Sequence, residues 1–268
     1  RPEDQPRIFS ESAAPSFFFG DYGYFRDKDK FGLVSGHALV KKYDISKDTL
    51  FLHADTLKTQ SPDSLHHFMW GIGNVRFFKS NLQGKCDTLI YSSVDSILDL
   101  RESPVVWSDS LQLSGESIKV FMSNNKPKMI WVQGWASGVM QDDSIRFNQL
   151  GGKSLKGYIR NGQIDRIVVE GNAETIYYPR DNDDSIVGIN RAASSLLVVH
   201  IKNKKLEKIV MSPASNGTLY PEGKIPEEQK ELKDFSWEDK IRPKDKNDVF
   251  TQYPLVKDKH HKHKHKNK

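Results

Sequence analysis

The chain has 268 residues, 37% of them hydrophobic, and carries 40 Lys and Arg against 35 Asp and Glu for a net charge of +5. Residues 257–268 hold six Lys and one Asp and account for all of that charge, so the remainder lacks the basic footprint of a nucleic-acid-binding domain. No apolar run approaches the ~18 residues of a membrane helix, and the single cysteine, Cys86, excludes an internal disulfide framework.

The first residues, Arg1-Pro2-Glu3, open the chain without a charged n-region, apolar h-region or cleavage site, which reads as a processed or cut N-terminus. Residues 1–16 are rich in Pro, Ser and Glu and are expected to be disordered. Phe17 to Tyr24 is aromatic and turn-rich and predicts a first strand. Gly36-His37-Ala38-Leu39-Val40 and Gly73-Asn74-Val75-Arg76-Phe77 lie 37 positions apart with their apolar residues in phase. An Asp followed by Ser or Thr and then Leu or Ile recurs at Asp48, Asp55, Asp63, Asp87, Asp95, Asp109, Asp143 and Asp184. These side chains hydrogen-bond local backbone and open turns, so the pattern reads as punctuation before strands.

The same spacing returns as a repeat. Over 25 positions starting at Leu113 and at Leu150, nine residues are identical without a gap. Ile118, Val120 and Met122, then Ile130 and Val132, alternate as in a half-buried strand. Asn161-Gly162 is a hairpin signal between the strands of the second copy. Each copy therefore predicts strand, turn, strand, and a fixed period of this length predicts units that bury an apolar face against their neighbours. Strands continue through Ser195–Ile201 and Lys205–Met211. Pro226–Lys233 predicts a short helix, with Pro at its start and acids in its first turn, inside a Pro-rich extended segment over 221–256. Residues 257–268 are a Lys/His tail expected to be disordered.

Motifs that carry chemistry are missing. Gly152-Lys153-Ser154 has Phe147 where a phosphate-binding loop needs Gly, and no Gly-x-Ser-x-Gly elbow occurs. His66 and His67 are adjacent and expected on opposite faces of a strand, while His37, His53 and His200 are scattered and lack Cys partners for zinc. Asn216-Gly217-Thr218 matches a glycosylation sequon and equally a turn. No catalytic residue, metal or cofactor is assigned. Regular apolar residues on one face fit either a closed core or a V-shaped sheet with an apolar inner groove, and periodicity alone does not choose between them.

A resemblance favours the groove. Asp48–Leu57, with Leu52-His53-Ala54-Asp55 inside it, resembles the recurring Leu-x-Ala-Asp strand of OstA/LptA-like lipopolysaccharide-transport proteins. Gly73-Asn74-Val75 and Gly171-Asn172-Ala173 are similar to that family's Gly-Asn-Val strand starts. Asp142–Leu150, Gly171–Pro179 and Arg242–Asp248 resemble the C-terminal half of the longer OstA-like proteins of the Bacteroides group, so the likeness spans roughly residues 17–250. The Pro-rich segment and the Lys/His tail depart from the family's core motif.

The resemblance implies an all-β fold, an open β-jellyroll or taco of stacked antiparallel strands with repeat units of about 37 residues, over 17–220. It implies a periplasmic, non-enzymatic protein, with the outer membrane as a further location. Lipopolysaccharide acyl chains would slide along its inner face, and other Lpt-type jellyrolls or further copies would join through edge strands. The residues expected to line the groove are Val75, Phe77, Ile118, Val120, Met122, Ile130, Val132, Phe147, Leu155, Ile159, Ile167 and Val169. Of the exposed basic residues, Arg146, Lys153, Lys156, Arg160 and Arg166 are placed to meet lipid phosphates at its rim or simply to be solvated. The alternatives are a structural β-scaffold that joins partners through its end strands and a β-helical carbohydrate-active enzyme.

Overall fold

The apolar alternation folds into one antiparallel sheet of 19 strands, with 3-10 turns but no α-helix among the described residues. The structure is a computed structural model and describes residues 8–10, 16–43, 48–124, 126–202, 205–213, 215–221 and 223–253. The segment 1–16, apart from 8–10 and Ser16, and the tail 257–268, both expected to be disordered, lie outside the described residues.

Each rung is either a long bent strand or two short strands meeting at a corner. β1 (Ile8–Ser10) pairs with β2 (Ser16–Phe19), which turns into β3 (Tyr22–Arg26). β4 (Phe31–Ser35) with β5 (Leu39–Tyr43) forms the next rung, and β6 (Thr49–His53) with β7 (Thr56–Gln60) the one after. β8 (Phe68–Lys79) and β9 (Leu82–Ser92) pass through the corner unbroken. Then come β10 (Ile97–Arg101) with β11 (Val105–Ser108), and β12 (Leu111–Ser114) with β13 (Ser117–Ser123). β14 (Lys126–Gln141), β15 (Phe147–Arg160), β16 (Gln163–Tyr177) and β17 (Ile189–Lys202) are continuous again, and β18 (Lys205–Ser212) with β19 (Asn216–Tyr220) closes the stack.

The corners align into a fold line that divides the sheet into two arms. The upper arm holds β3, β4, β7, β10, β13, β18 and the matching halves of the long strands; the lower arm holds β2, β5, β6, β11, β12, β19 and the other halves. On alternate rungs the corner is a pair of consecutive left-handed residues: Gly36-His37, Gly73-Asn74, Gly134-Trp135 and Gly171-Asn172, with φ between 46° and 78°. Glycine stands first in these four pairs, whereas Glu102 (φ 63°) takes that place in a fifth, Glu102-Ser103, between β10 and β11. A Cβ on Gly73 would lie 2.4 Å from Asp55 Oδ2, and the Asp55 N–H donates to the Gly73 carbonyl at 2.9 Å. The Gly-Asn-Val and Gly-Asn-Ala motifs are thus corner devices, with Asn supplying a second residue that tolerates φ > 0.

Going outward from the upper to the lower arm, β8, β14 and β16 keep their inside–outside alternation across the corner. On the return, β15 loses it: Leu155 and Val169 face each other inside, as do Gly138 and Leu150, so inward positions switch from odd to even numbers near Lys153.

The C-terminal segment crosses the back of the lower arm as a strap. In place of the expected helix over 226–233 it makes a single 3-10 turn, Glu227–Gln229, because the following backbone is bound to the sheet instead. Gln149 accepts from Leu232 N–H at 2.8 Å and donates to the Lys230 carbonyl at 3.0 Å. Gln112 repeats this with Glu238 N–H at 2.8 Å and the Ser236 carbonyl at 2.7 Å. Further along, the Gln83 amide oxygen accepts from Arg242, and the Arg76 guanidinium donates to the Ile241 carbonyl at 3.0 Å. The strap's apolar side chains fill the gaps: Ile225 and Leu232 join Ile176, Tyr178 and Ile189, while Phe235 and Trp237 pack on Phe147. At its end, Phe250 packs at a tilt against the His53 ring with centroids 4.9 Å apart.

Candidate functional site

The inner face of the V is one apolar surface running the length of the sheet. On the upper arm beside the fold line, cross-strand register carries a line from Val34 through Leu57, Gly71, Leu89, Leu100 and Ile118. It continues through Val132, Leu155, Val169 and Leu197 to Met211, about 50 Å at ~4.8 Å per strand pair. The alternation of the sequence produces this line directly, and each fully buried Leu, Ile or Val in it contributes ~1.5–3 kcal/mol. Ile118, Val132 and Leu155 are completely buried, but one step toward the arm tip Val120 and Ile130 are only half-buried. The arms therefore touch at the fold line and diverge toward their tips.

Of the twelve residues expected to line the groove, Val75, Phe77, Ile118, Val132, Leu155, Ile167 and Val169 belong to the buried inner cluster. Val120 and Ile130 pack against it, and Ile159 faces inward opposite Ile164. Met122 is half-buried near the tip of β13, beyond that cluster. Phe147 is a correction. It lies on the outer face under Phe235 and Trp237, because the switch in alternation at Lys153 turns the odd-numbered residues of the first half of β15 outward. His66 and His67 are likewise in the loop before β8 rather than in a strand, bonded to Asp63 and Ser61.

The lower arm contributes an inner line that changes character along the stack. Its first half is bulky: Phe18, Val40, Leu52 and Phe77 follow one another, and the Phe77 ring occupies the place of a Gly84 side chain. After Val106 and Leu113 the line becomes Gly138, Leu150, Thr175, Ala192 and Gly217. Small residues leave space, and a cleft of about 30 Å³ opens there between Ile201 and Leu206 above and Met140 and Leu150 below. Its lining is almost wholly apolar. In this conformation it holds little more than one or two water-sized groups.

No family model matches this chain, and no curated protein matches it. Among solved structures the chain is similar to the crystal structure of LptH, the LptA-homologous periplasmic component of the lipopolysaccharide transport device of Pseudomonas aeruginosa. The match has 13% identity and a TM-score of 0.38, and covers 49% of this chain and 95% of that one.

Ionised groups are kept out of the cleft, whose polar lining is limited to uncharged side chains such as Asn148 and Thr175. Cys86 is the inward-facing thiol of β9, and burial pushes its pKa well above the ordinary value. The ion pairs Lys156–Glu170 and Arg101–Asp99 lie on the outer face of the upper arm, where Lys156 also approaches the Trp131 ring. Among the described residues no group of three or more His, Cys, Asp or Glu side chains is placed to hold a metal ion, and no helix is long and apolar enough to cross a membrane.

Proposed function

We propose that this protein is a non-enzymatic carrier of lipopolysaccharide, working in the periplasm on the route to the outer membrane and holding acyl chains along the inner trough. The observation that carries this reading is the apolar line from Val34 to Met211, in which Val75 packs beside Gly71 where β8 offers no side chain, with Val120 and Ile130 more exposed than Ile118 and Val132 beside the fold line. Acyl chains need contiguous apolar surface and no fixed polar geometry, and equivalent rungs offer many weak sites rather than one deep one. The motif resemblance supports the same reading, and the LptH protein is described as a component of a lipopolysaccharide transport device. Because the cleft is smaller than an acyl chain, loading requires the arms to part.

A photo-crosslinking residue at Ile130 tests this in cells. Lipopolysaccharide adducts at Ile130 but not at Arg101 on the outer face support carriage, and their absence at Ile130 removes it.

The complete burial of Ile118, Val132 and Leu155 favours a second reading, a closed scaffold that joins partners through its ends. Among the described residues β3 pairs on one side only, and Tyr22, Tyr24 and Phe25 are exposed there. On this reading, self-association on serial dilution is lost when Tyr24→Pro breaks the edge, while Ile130 gives no lipid adduct.

A further inference from the structure

The two rims of the trough carry opposite charge in its C-terminal half. On the upper arm, the hairpins after β13, β15 and β17 reach the tip and present Lys126, Lys128, Arg160 and Lys202, all exposed. Among the described residues, Arg160 pairs with Asp165 at 3.1 Å and Lys202 with Glu207 at 3.5 Å. On the lower arm, the turns after β11, β14 and β16 present Asp109, Asp142, Asp143, Asp181, Asp183 and Asp184 against Arg146 and Arg180. Asp143 and Asp183 are held ionised: the Ile145 N–H and the Ser185 side chain respectively stabilise the carboxylates. Between these rims lies the stretch where the lower arm narrows to Gly138, Thr175, Ala192 and Gly217 and the apolar cleft opens.

We infer that the C-terminal half of the trough is the loading end, and that it takes an anionic, phosphate-bearing lipid in one orientation, phosphates on the upper rim and acyl chains in the cleft. This rests on the trough being a lipid path and names where and how lipid meets it. Cations on one rim attract the phosphates, and carboxylates on the other repel them, so a symmetric amphiphile gains nothing from the arrangement while a phosphorylated one is oriented. The small residues beneath supply the room that the bulky N-terminal half lacks.

The test uses the full chain with a photo-crosslinking residue at Ile201, beside the cleft, and as probes bis-phosphorylated lipid A and the same lipid A after phosphatase treatment. The charge-reversed variant Lys126→Glu, Lys128→Glu, Arg160→Glu, Lys202→Glu alters only exposed positions, and its melting curve checks that it folds. The parent chain is expected to crosslink the phosphorylated lipid at least about tenfold more efficiently than the stripped one, and the variant to lose that preference. Equal labelling of both lipids by parent and variant overturns the rim assignment while leaving the trough reading intact. Labelling by neither lipid overturns both. A millimolar excess of inorganic phosphate is expected not to compete; if it abolishes labelling, the rim is a site for free anions and the lipid assignment falls.

Discussion

Replacing Gln149 by Leu separates the strap from the sheet at one defined point. Gln149 is 3% exposed, and its amide satisfies both Leu232 N–H and the Lys230 carbonyl. Leucine keeps the volume but leaves both backbone groups without their partners. At ~1–3 kcal/mol for each stranded buried group, less what water restores at the half-buried Lys230, local opening becomes easier by ~2–4 kcal/mol. At ~1.4 kcal/mol per factor of ten, the Leu232 amide should exchange about 30 to 1,000 times faster in a hydrogen-exchange measurement. Gln149→Glu keeps the acceptor and loses the donor, so it should fall between. The effect should be confined to strap residues near 230–235. Unchanged protection at Leu232, or loss spread equally over β14–β16, would refute the view that the glutamine amides hold the strap.

His53 makes stability depend on pH. Its Nδ1 donates to the Ala38 carbonyl at 2.7 Å, and burial beneath Phe250 lowers its pKa from the ordinary 6.5. Above about pH 6.5 both folded and unfolded chains hold it neutral and its contribution is complete; as pH falls below that value the unfolded chain takes up a proton that the folded chain resists, so stability declines. Melts at pH 7.5 and 5.5 should show the drop, and His53→Gln should remove part of it; an identical slope in the variant contradicts the assignment. The buried Cys86 thiol should not react with a thiol reagent at pH 8 until the sheet is denatured, and stoichiometric native labelling would disprove its place in the core. Gly84→Ala should cost ~1–3 kcal/mol because its Cβ falls 2.1 Å from Phe77 Cζ, and Phe77→Leu should recover part of that loss in a double-mutant cycle of chemical denaturation.

Much of the upper arm was legible because its inward residues are β-branched or Leu at strict alternation: Ile118, Val120, Ile130, Val132, Ile167 and Val169 can be read from the chain with no knowledge of partners. The lower arm was not, since Gly138, Thr175, Ala192 and Gly217 carry no apolar signal and owe their inner position to register alone. Phe147 shows the other limit. An alternation carried back from Leu155 points it inward, and only the paired strands reveal that the corner at Lys153 shifts the phase. The 37-residue spacing was visible in Gly134 and Gly171, but that it marks a left-handed bend rather than a strand start depends on φ angles no composition encodes. Nothing local marks Gln83, Gln112 and Gln149 as buried, because their partners stand 81 to 159 positions away.

The strap also makes the molecule mechanically lopsided. One wing is splinted crosswise by a chain segment stapled from Gln149 to Arg76, whereas no described segment lies over the other. Any hinging about the left-handed glycines must therefore swing the unsplinted wing, with the braced one serving as its fixed jaw.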